Sequence, residues 1–239
     1  MAGHSKWANI KHKKERADAA KGKIFSRIAK EIISAVKQGG ADPQSNPRLR
    51  LALQKAKAAN MPNDNITRNI NKASSKDQAN YNELTYEVYG HGGVGIIVEG
   101  MTDNNNRFSS DMRIATNNRG GAVAAMGSVT FNFEQTGGLQ FNKDSIEEDE
   151  LFLEATEAGA EDFETVDEIY IVTTPPDQLY AVKEALEAKG FTSVDASIKM
   201  IPKHLVSCSK EDQEANLALI AWIEELDDVD AVYHNMDIE

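Results

Sequence analysis

The sequence predicts an α+β protein in which an N-terminal helical bundle precedes two small α+β, ferredoxin-like domains, the third being inserted in the second. Two observations predict this architecture. The charge of the chain changes sign near residue 77. Apolar residues recur at helical spacing before that point, and in mixed helical and strand patterns after it. We therefore expect three domains: residues 1–77, residues 78–132 together with 207–239, and residues 133–206.

Charge is divided very unevenly along the chain, whose formal net charge is −12. Residues 1–76 hold 17 of the 26 lysines and arginines but only 5 of the 38 acidic residues, a net charge of +12. The rest of the chain has a net charge of −24. A basic helical end on an acidic body favours a polyanion as the partner of the first part alone.

Bulk composition favours a cytoplasmic protein with real hydrophobic cores. Apolar residues make up 41% of the chain, and its one cysteine, Cys208, cannot form an internal disulfide. Residues Met1–Trp7 lack the apolar stretch of a signal peptide. No apolar run approaches the roughly 20 residues that span a bilayer. We expect neither a membrane partner nor a small-molecule substrate.

Three helices are predicted in the basic part. Apolar residues recur at helical spacing over Phe25–Val36, and Gly39-Gly40 is expected to end this helix. Asn46-Pro47 provides a cap and a first turn for a second helix. Asn60-Met61-Pro62 separates this helix from a third, and residues 73–82 are predicted to be a linker.

The acidic part is predicted to open with a hairpin and a helix. Leu84–Tyr89 and Val94–Met101 have strand character, and Gly90–Gly93 suits the loop between them. A helix is predicted over Asn105–Asn118, with Gly120-Gly121 at its end.

A βαββαβ order is predicted for residues 133–206, which is the ferredoxin-like count. Polar and apolar residues alternate over Ser128–Phe133 as in a strand. Gln135–Gly138 is expected to form a turn, after which Leu139–Phe141 is expected to pair with that strand. The remaining elements are a helix over Ile146–Ala158, strands over Asp162–Glu164 and Glu168–Thr173, a helix over Pro175–Lys189 and a strand over Thr192–Ile201. Ser209 is predicted to cap a last helix, and Asp230–Met236 to form a last strand.

The basic N-terminus is the main candidate for a site, because lysine and arginine neutralise phosphates and release counterions. A solvated face is the alternative. Trp7 could stack on an unpaired base or dock against the bundle, and Arg48 and Arg50 could extend the basic patch or only make the helix soluble. The candidate nucleic-acid-binding residues are His4, Lys6, Trp7, Lys11, His12, Lys13, Lys14, Arg16, Lys21, Lys23, Arg48 and Arg50.

Arg107 and Arg113 are candidate partner contacts in the acidic part. They lie six residues apart, about 120° around the predicted helix, so both could border one surface. The alternative is an internal ion pair between Arg107 and Asp111, four residues along the helix. Asp103 or a neighbouring asparagine is expected to cap this helix.

Neither catalytic nor metal-binding residues are predicted. The five histidines, His4, His12, His91, His204 and His234, are scattered without the spacing of a metal pair. The Gly90–Gly95 segment lacks the lysine and the following helix of a phosphate-binding loop. An enzyme that uses His91 or His204, and a protein-binding adaptor, remain minor alternatives. No cofactor is expected.

Several segments together are specific enough to suggest a family. They are Met1–Lys13, Gly22–Phe25, Asn46–Arg50, Ala59–Pro62, Thr102–Asn104 and Asn106-Arg107. In these segments the chain resembles the YebC/PmpR family, and the similarity extends over essentially the whole chain. The resemblance implies a helical domain followed by two α+β domains, the last inserted in the middle one, without enzyme activity or cofactor. Phe108–Met112 and Asn117-Asn118 depart from the family pattern.

Two functions are compatible with the family and with the charge. Members are described as probable transcriptional regulators that bind DNA. A mitochondrial relative activates translation of cytochrome c oxidase subunit I, and bacterial relatives are implicated in easing ribosomal stalls on proline-rich stretches. We therefore predict a DNA-binding transcriptional regulator, with a factor that binds ribosomal or transfer RNA on the ribosome as the alternative. Charge does not separate the two, although the absence of a clear recognition helix in the sequence favours RNA.

Overall fold

The computed structural model describes residues 17–73 and 80–238. It confirms the predicted α+β class: three helices are followed by two four-stranded sheets with helices packed on them. The N-terminal helices are α1 (Ala17–Gly39), α2 (Pro47–Ala58) and α3 (Asn63–Ala73).

Asn46 ties the first two helices together. Its side-chain oxygen accepts the Leu49 N–H at 3.1 Å and caps α2, as predicted. Its amide nitrogen donates to the carbonyls of Ala35 and Gly40, each at 2.8 Å. Asn46 is buried, so these bonds replace the water that it loses on folding. The bundle core contains Ile28, Ile32, Leu49, Ala52, Ala56 and Met61.

The first sheet and its two helices are built from both ends of the acidic part. Their bounds are β1 Asn82–Tyr89, β2 Gly95–Thr102, α4 Asn105–Arg119, β3 Ala122–Val123, α7 Lys210–Glu225 and β8 Val229–His234. The strand order is β3-β1-β2-β8. The predicted hairpin is present, with β1 and β2 antiparallel and Tyr89 opposite Gly95. Helices α4 and α7 bury Phe108, Met112, Leu219 and Ile223.

The second sheet and its two helices follow one another along the chain. Their bounds are β4 Phe133–Asn142, α5 Glu148–Ala158, β5 Asp162–Val166, β6 Ile169–Thr174, α6 Leu179–Ala188 and β7 Asp195–Pro202. The strand order is β5-β6-β4-β7, with each neighbouring pair antiparallel. This is the ferredoxin-like arrangement, and the predicted βαββαβ succession is confirmed. Leu139, Phe141, Leu151, Val172 and Leu179 lie in its core.

The start of this sheet corrects the prediction for residues 128–141. Ser128–Phe133 is not a strand, since Thr130–Asn132 forms a 3-10 turn. The predicted turn at Gln135–Gly138 lies instead in the middle of the continuous strand β4. A Cβ on Gly137 would lie 2.4 Å from the Thr174 hydroxyl and 3.0 Å from the Cβ of Leu179. Gly137 therefore permits a close approach and does not mark a turn.

Two elements begin three or more residues later than predicted. Helix α6 begins at Leu179, because Pro175 and the next three residues form a turn in which the Gln178 N–H bonds the Pro175 carbonyl at 3.1 Å. Strand β7 begins at Asp195, three residues later than expected.

The described residues fall into two compact units. One contains residues 17–129, apart from 74–79, together with Cys208–Val232. The other contains Thr130–Ser207 and residues 233–238. The bundle and most of the first sheet thus belong to one unit, and the division into three domains stays a prediction.

Candidate nucleic-acid interface

The candidate residues His4, Lys6, Trp7, Lys11, His12, Lys13, Lys14 and Arg16 lie outside the described residues. Lys21 lies on α1, but its side chain is also outside the described part. The interface can therefore be built from Lys23 onward. On α1, Lys23, Arg27 and Lys30 follow one another at i, i+4 and i+7, so they share one face of the helix.

Lys30 is held by the chain itself. Its ammonium group donates to the carbonyl oxygens of Met101 and Asp227, both at 2.9 Å. It also lies 3.8 Å from the Asp228 carboxylate, and only 13% of the Lys30 side chain is exposed. Lys30 therefore joins the bundle to the end of β2 and to the loop before β8.

Lys23 and Arg27 meet the same stretch of chain. Lys23 donates to the carbonyl of Glu224 in the last turn of α7, where the helix dipole favours a cation. Arg27 donates to the carbonyl of Asp230 at 3.4 Å. Burial raises the pKa of Asp230 to about 6, and the nearby Arg27 and Lys30 only partly oppose this. Lys23, predicted to contact phosphate, must exchange an internal hydrogen bond to do so.

Arg48 and Arg50 are both exposed near the start of α2, but their surroundings differ. Arg48 forms a 2.7 Å ion pair with Glu83 and donates to Gln38. Arg50 donates only weakly to the Pro43 carbonyl at 3.4 Å. The Arg48–Glu83 pair is solvent-exposed, so it restrains Arg48 little and can open in favour of another anion.

A shallow groove between α2 and α3 was not identified from the sequence. It combines apolar walls with one cation and two side-chain amides, a mixture that suits sugar, base and phosphate contacts. The available signal was the break at Asn60-Met61-Pro62, which provides three of the lining residues. The groove is lined by Leu53, Lys57, Asn60, Met61, Pro62, Asn63 and Ile66.

Arg107 has an internal partner, but not the predicted one. Its guanidinium group bonds both oxygens of Asp228, at 2.8 and 2.9 Å, and Asp103 at 2.8 Å, whereas Asp111 is not among its partners. These bonds raise the pKa of Arg107. Asp228 lies 121 residues away and is buried, so no local spacing could have revealed the pair. The helix cap is Asn104, which accepts the N–H groups of residues 106 and 107.

Arg113 is exposed on α4. Over residues 17–73 and 80–238 no carboxylate forms an ion pair with it. Arg113 is therefore open to a partner, whereas Arg107 is held.

His91 has a structural contact. Its Nε2 atom lies 2.7 Å from the carbonyl of Arg119 at the end of α4. The fully buried Asn216 accepts the His91 N–H at 2.8 Å and donates to the His91 carbonyl at 3.1 Å. His204 is exposed. In the described part of the chain no three His, Cys, Asp or Glu residues are placed to hold a metal ion.

The fold and the charge distribution define a class of protein in which a basic helical segment precedes two four-stranded sheets with helices packed on them. A family model described as the TACO1/YebC protein N-terminal domain matches residues 5–76. A second, described as the TACO1/YebC second and third domain, matches residues 81–236. The chain belongs to the TACO1/YebC family, which confirms the resemblance found in the sequence.

Relatives match along the whole chain. Probable transcriptional regulatory protein pc1328 of Protochlamydia amoebophila is 68% identical over 238 residues, covering 100% of this chain and 97% of the relative. A probable transcriptional regulatory protein of Chlamydia pneumoniae is 59% identical, covering 99% and 100%. The crystal structure of the conserved hypothetical protein Aq1575 from Aquifex aeolicus matches this fold with a TM-score of 0.87, and the match covers 98% of both chains. The two sequences are 41% identical.

Among the described residues, every helix is too short or too polar to cross a membrane.

Proposed function

We propose that this chain is a regulatory protein that binds nucleic acid through its basic N-terminal helical part, with duplex DNA as its target and transcription as the regulated process. The relatives' names support a regulatory role. Catalysis, a cofactor, a membrane and a small-molecule substrate have no part in this proposal, and the cytoplasm is its proposed location.

The observation that carries the proposal is the surplus of cations on α2 and α3. These two helices contain six lysines and arginines and one acidic residue, Asp64. Arg50, Lys57 and Arg68 are exposed. Arg48 is paired with Glu83 and Lys55 with Glu31. The positive surface of these two helices is therefore carried by the three exposed cations, and phosphates provide the matching charge.

The acidic body limits how nucleic acid can approach. With a net charge of −24 over residues 77–239, it repels a phosphate backbone. The proposed binding is therefore oriented by repulsion from the body as well as by attraction to the helices.

Ribosomal or transfer RNA is the alternative target, with relief of stalled translation as the function. The exposed side of α3 supports this alternative, because Asn63, Thr67 and Asn71 present two amides and a hydroxyl beside Arg68. Such groups can bond to base edges and to the 2′-hydroxyl that distinguishes RNA from DNA.

The test measures binding of the full chain to labelled duplex DNA and to structured RNA across a range of salt concentrations. Replacing Lys11, Lys13 and Lys14 with Gln should flatten the salt dependence by about one log unit per lost phosphate contact. The matched control, Lys183, Lys189 and Lys203 to Gln, removes the same charge from the acidic body and should leave the slope unchanged. Equal slopes for the two triple variants would mean that Lys11, Lys13 and Lys14 are bystanders. Binding through the N-terminal part would be refuted if Arg50→Gln/Lys57→Gln/Arg68→Gln also left the slope unchanged.

Crosslinking in cells, followed by sequencing of the attached nucleic acid, separates the two targets. Recovery of promoter DNA supports transcription. Recovery of ribosomal or transfer RNA selects the alternative.

A further inference from the structure

Helix α4 carries a polar stripe on its exposed side. Asn106, Ser110, Arg113 and Asn117 are all exposed and follow one another at i, i+4, i+7 and i+11. At about 100° per residue, these four side chains lie within about 60° of one another around the helix axis. The buried residues Phe108, Met112, Ala115 and Thr116 fix which side of α4 faces the core, so the stripe is held facing solvent.

The stripe differs in charge from the other helices of the acidic part. Helix α4 contains three arginines and one acidic residue, Asp111. In contrast, α5 has five acidic residues and no basic one, and α7 has five acidic residues and one lysine. Within the stripe itself there is no acidic residue. A phosphate backbone that follows the stripe therefore meets no carboxylate among its four side chains.

The three arginines of α4 have different surroundings. Arg107 is bound by Asp228 and Asp103. Arg119 lies 5.0 Å above the ring of Trp222. Arg113, at the centre of the stripe, makes no ion pair within the described residues and has hydrogen-bonding side chains on both sides.

From this arrangement we propose that the stripe on α4 is a second contact for the phosphodiester backbone of nucleic acid, separate from the basic N-terminal part. Arg113 supplies the charge, and the amides of Asn106 and Asn117 and the hydroxyl of Ser110 bond phosphate or sugar oxygens. Ile114, which is 50% exposed beside the stripe, provides an apolar surface for a sugar. This inference rests on the proposed function, since it assigns a further contact to the same ligand.

The test compares the full-length variants Arg113→Gln and Arg119→Gln. Each removes one positive charge from α4, but only the first acts on the stripe. Arg113→Gln should weaken binding about three- to tenfold near 0.1 M salt and reduce the salt slope by about 0.9 for duplex DNA, or about 0.7 for single strands. Arg119→Gln should leave the slope unchanged. The double variant Arg113→Glu/Asn117→Asp should weaken binding further, and thermal unfolding checks that all variants fold.

The outcomes separate this inference from the proposed function. If the unaltered chain binds no nucleic acid, the proposed function fails. If it binds and Arg113→Gln behaves like Arg119→Gln, the second contact is overturned while the proposed function stands. A photocrosslinking residue at position 110 should label duplex DNA or structured RNA directly. Crosslinks from this position to protein alone would also overturn the inference.

Discussion

Asp228 shows how a single side chain can connect parts of the chain that are distant in sequence. It is 5% exposed and contacts Arg107 of α4 at 2.8 Å and Lys30 of α1 at 3.8 Å. A buried carboxylate without partners would be costly, so each cation helps to compensate for the loss of hydration. Asp228 therefore holds the bundle beside the start of α4.

Asp230 gives a prediction about pH. Burial raises its pKa to about 6 in the folded chain, whereas an unfolded aspartate titrates near about 3.9. Between these values the folded chain binds more protons, so this group lowers stability as pH rises from about 4 to about 6. Asp230→Asn should therefore stabilise the protein by about 1–2 kcal/mol at pH 7.5 and much less at pH 4.

Urea unfolding at the two pH values checks this expectation. The exposed Asp177→Asn is the control and should have little effect at either pH. The same gain for Asp230→Asn at both values would contradict the assignment, because the effect depends on ionisation of the carboxylate.

At the scale of elements, strand β4 shows that glycine can mark packing instead of a turn. Gly137 lies between Thr174 on β6 and Leu179 on α6, and there is no room for a methyl group. Gly22 lies on α1 with an exposed backbone, and no described atom outside its own stretch of helix backbone lies within 4 Å of an added Cβ. The same substitution should therefore have opposite effects at the two positions.

We expect Gly137→Ala to destabilise the protein by about 1–3 kcal/mol through overpacking. Gly22→Ala should stabilise α1 by up to about 1 kcal/mol, because alanine favours the helix more than glycine does. Thermal unfolding monitored by calorimetry measures both variants. A neutral Gly137→Ala would show that β6 and α6 can move apart.

At the scale of the molecule, the separation of charge predicts unusual chromatography. The chain should bind an anion exchanger at pH 7, as its net charge of −12 requires. It should also bind heparin in low salt, since the basic part presents its charge locally. Replacing Lys11, Lys13 and Lys14 with Gln should lower the salt needed for elution from heparin without weakening retention on the anion exchanger. Passage of the unaltered chain through heparin would contradict a positive outer surface.

The sequence alone predicted the class of fold, the basic and acidic parts, the caps at Asn46 and Ser209 and the βαββαβ order of the second sheet. These features depend on local periodicity, on capping chemistry and on composition, which are properties of neighbouring residues. The family was also recognisable, because the segments that carry the resemblance are continuous.

Only the tertiary structure decided which cations are bound by groups of the chain itself and why a glycine is needed at position 137. Lys23, Arg27 and Lys30 meet residues about 200 positions away, and Arg107 meets Asp228, so their partners have no fixed spacing in the sequence. Gly137 suggested a turn until Thr174 and Leu179 were placed beside it. Charge is a property of each residue and can be counted along a chain, whereas the neutralisation of that charge depends on which distant groups folding brings within a few ångströms.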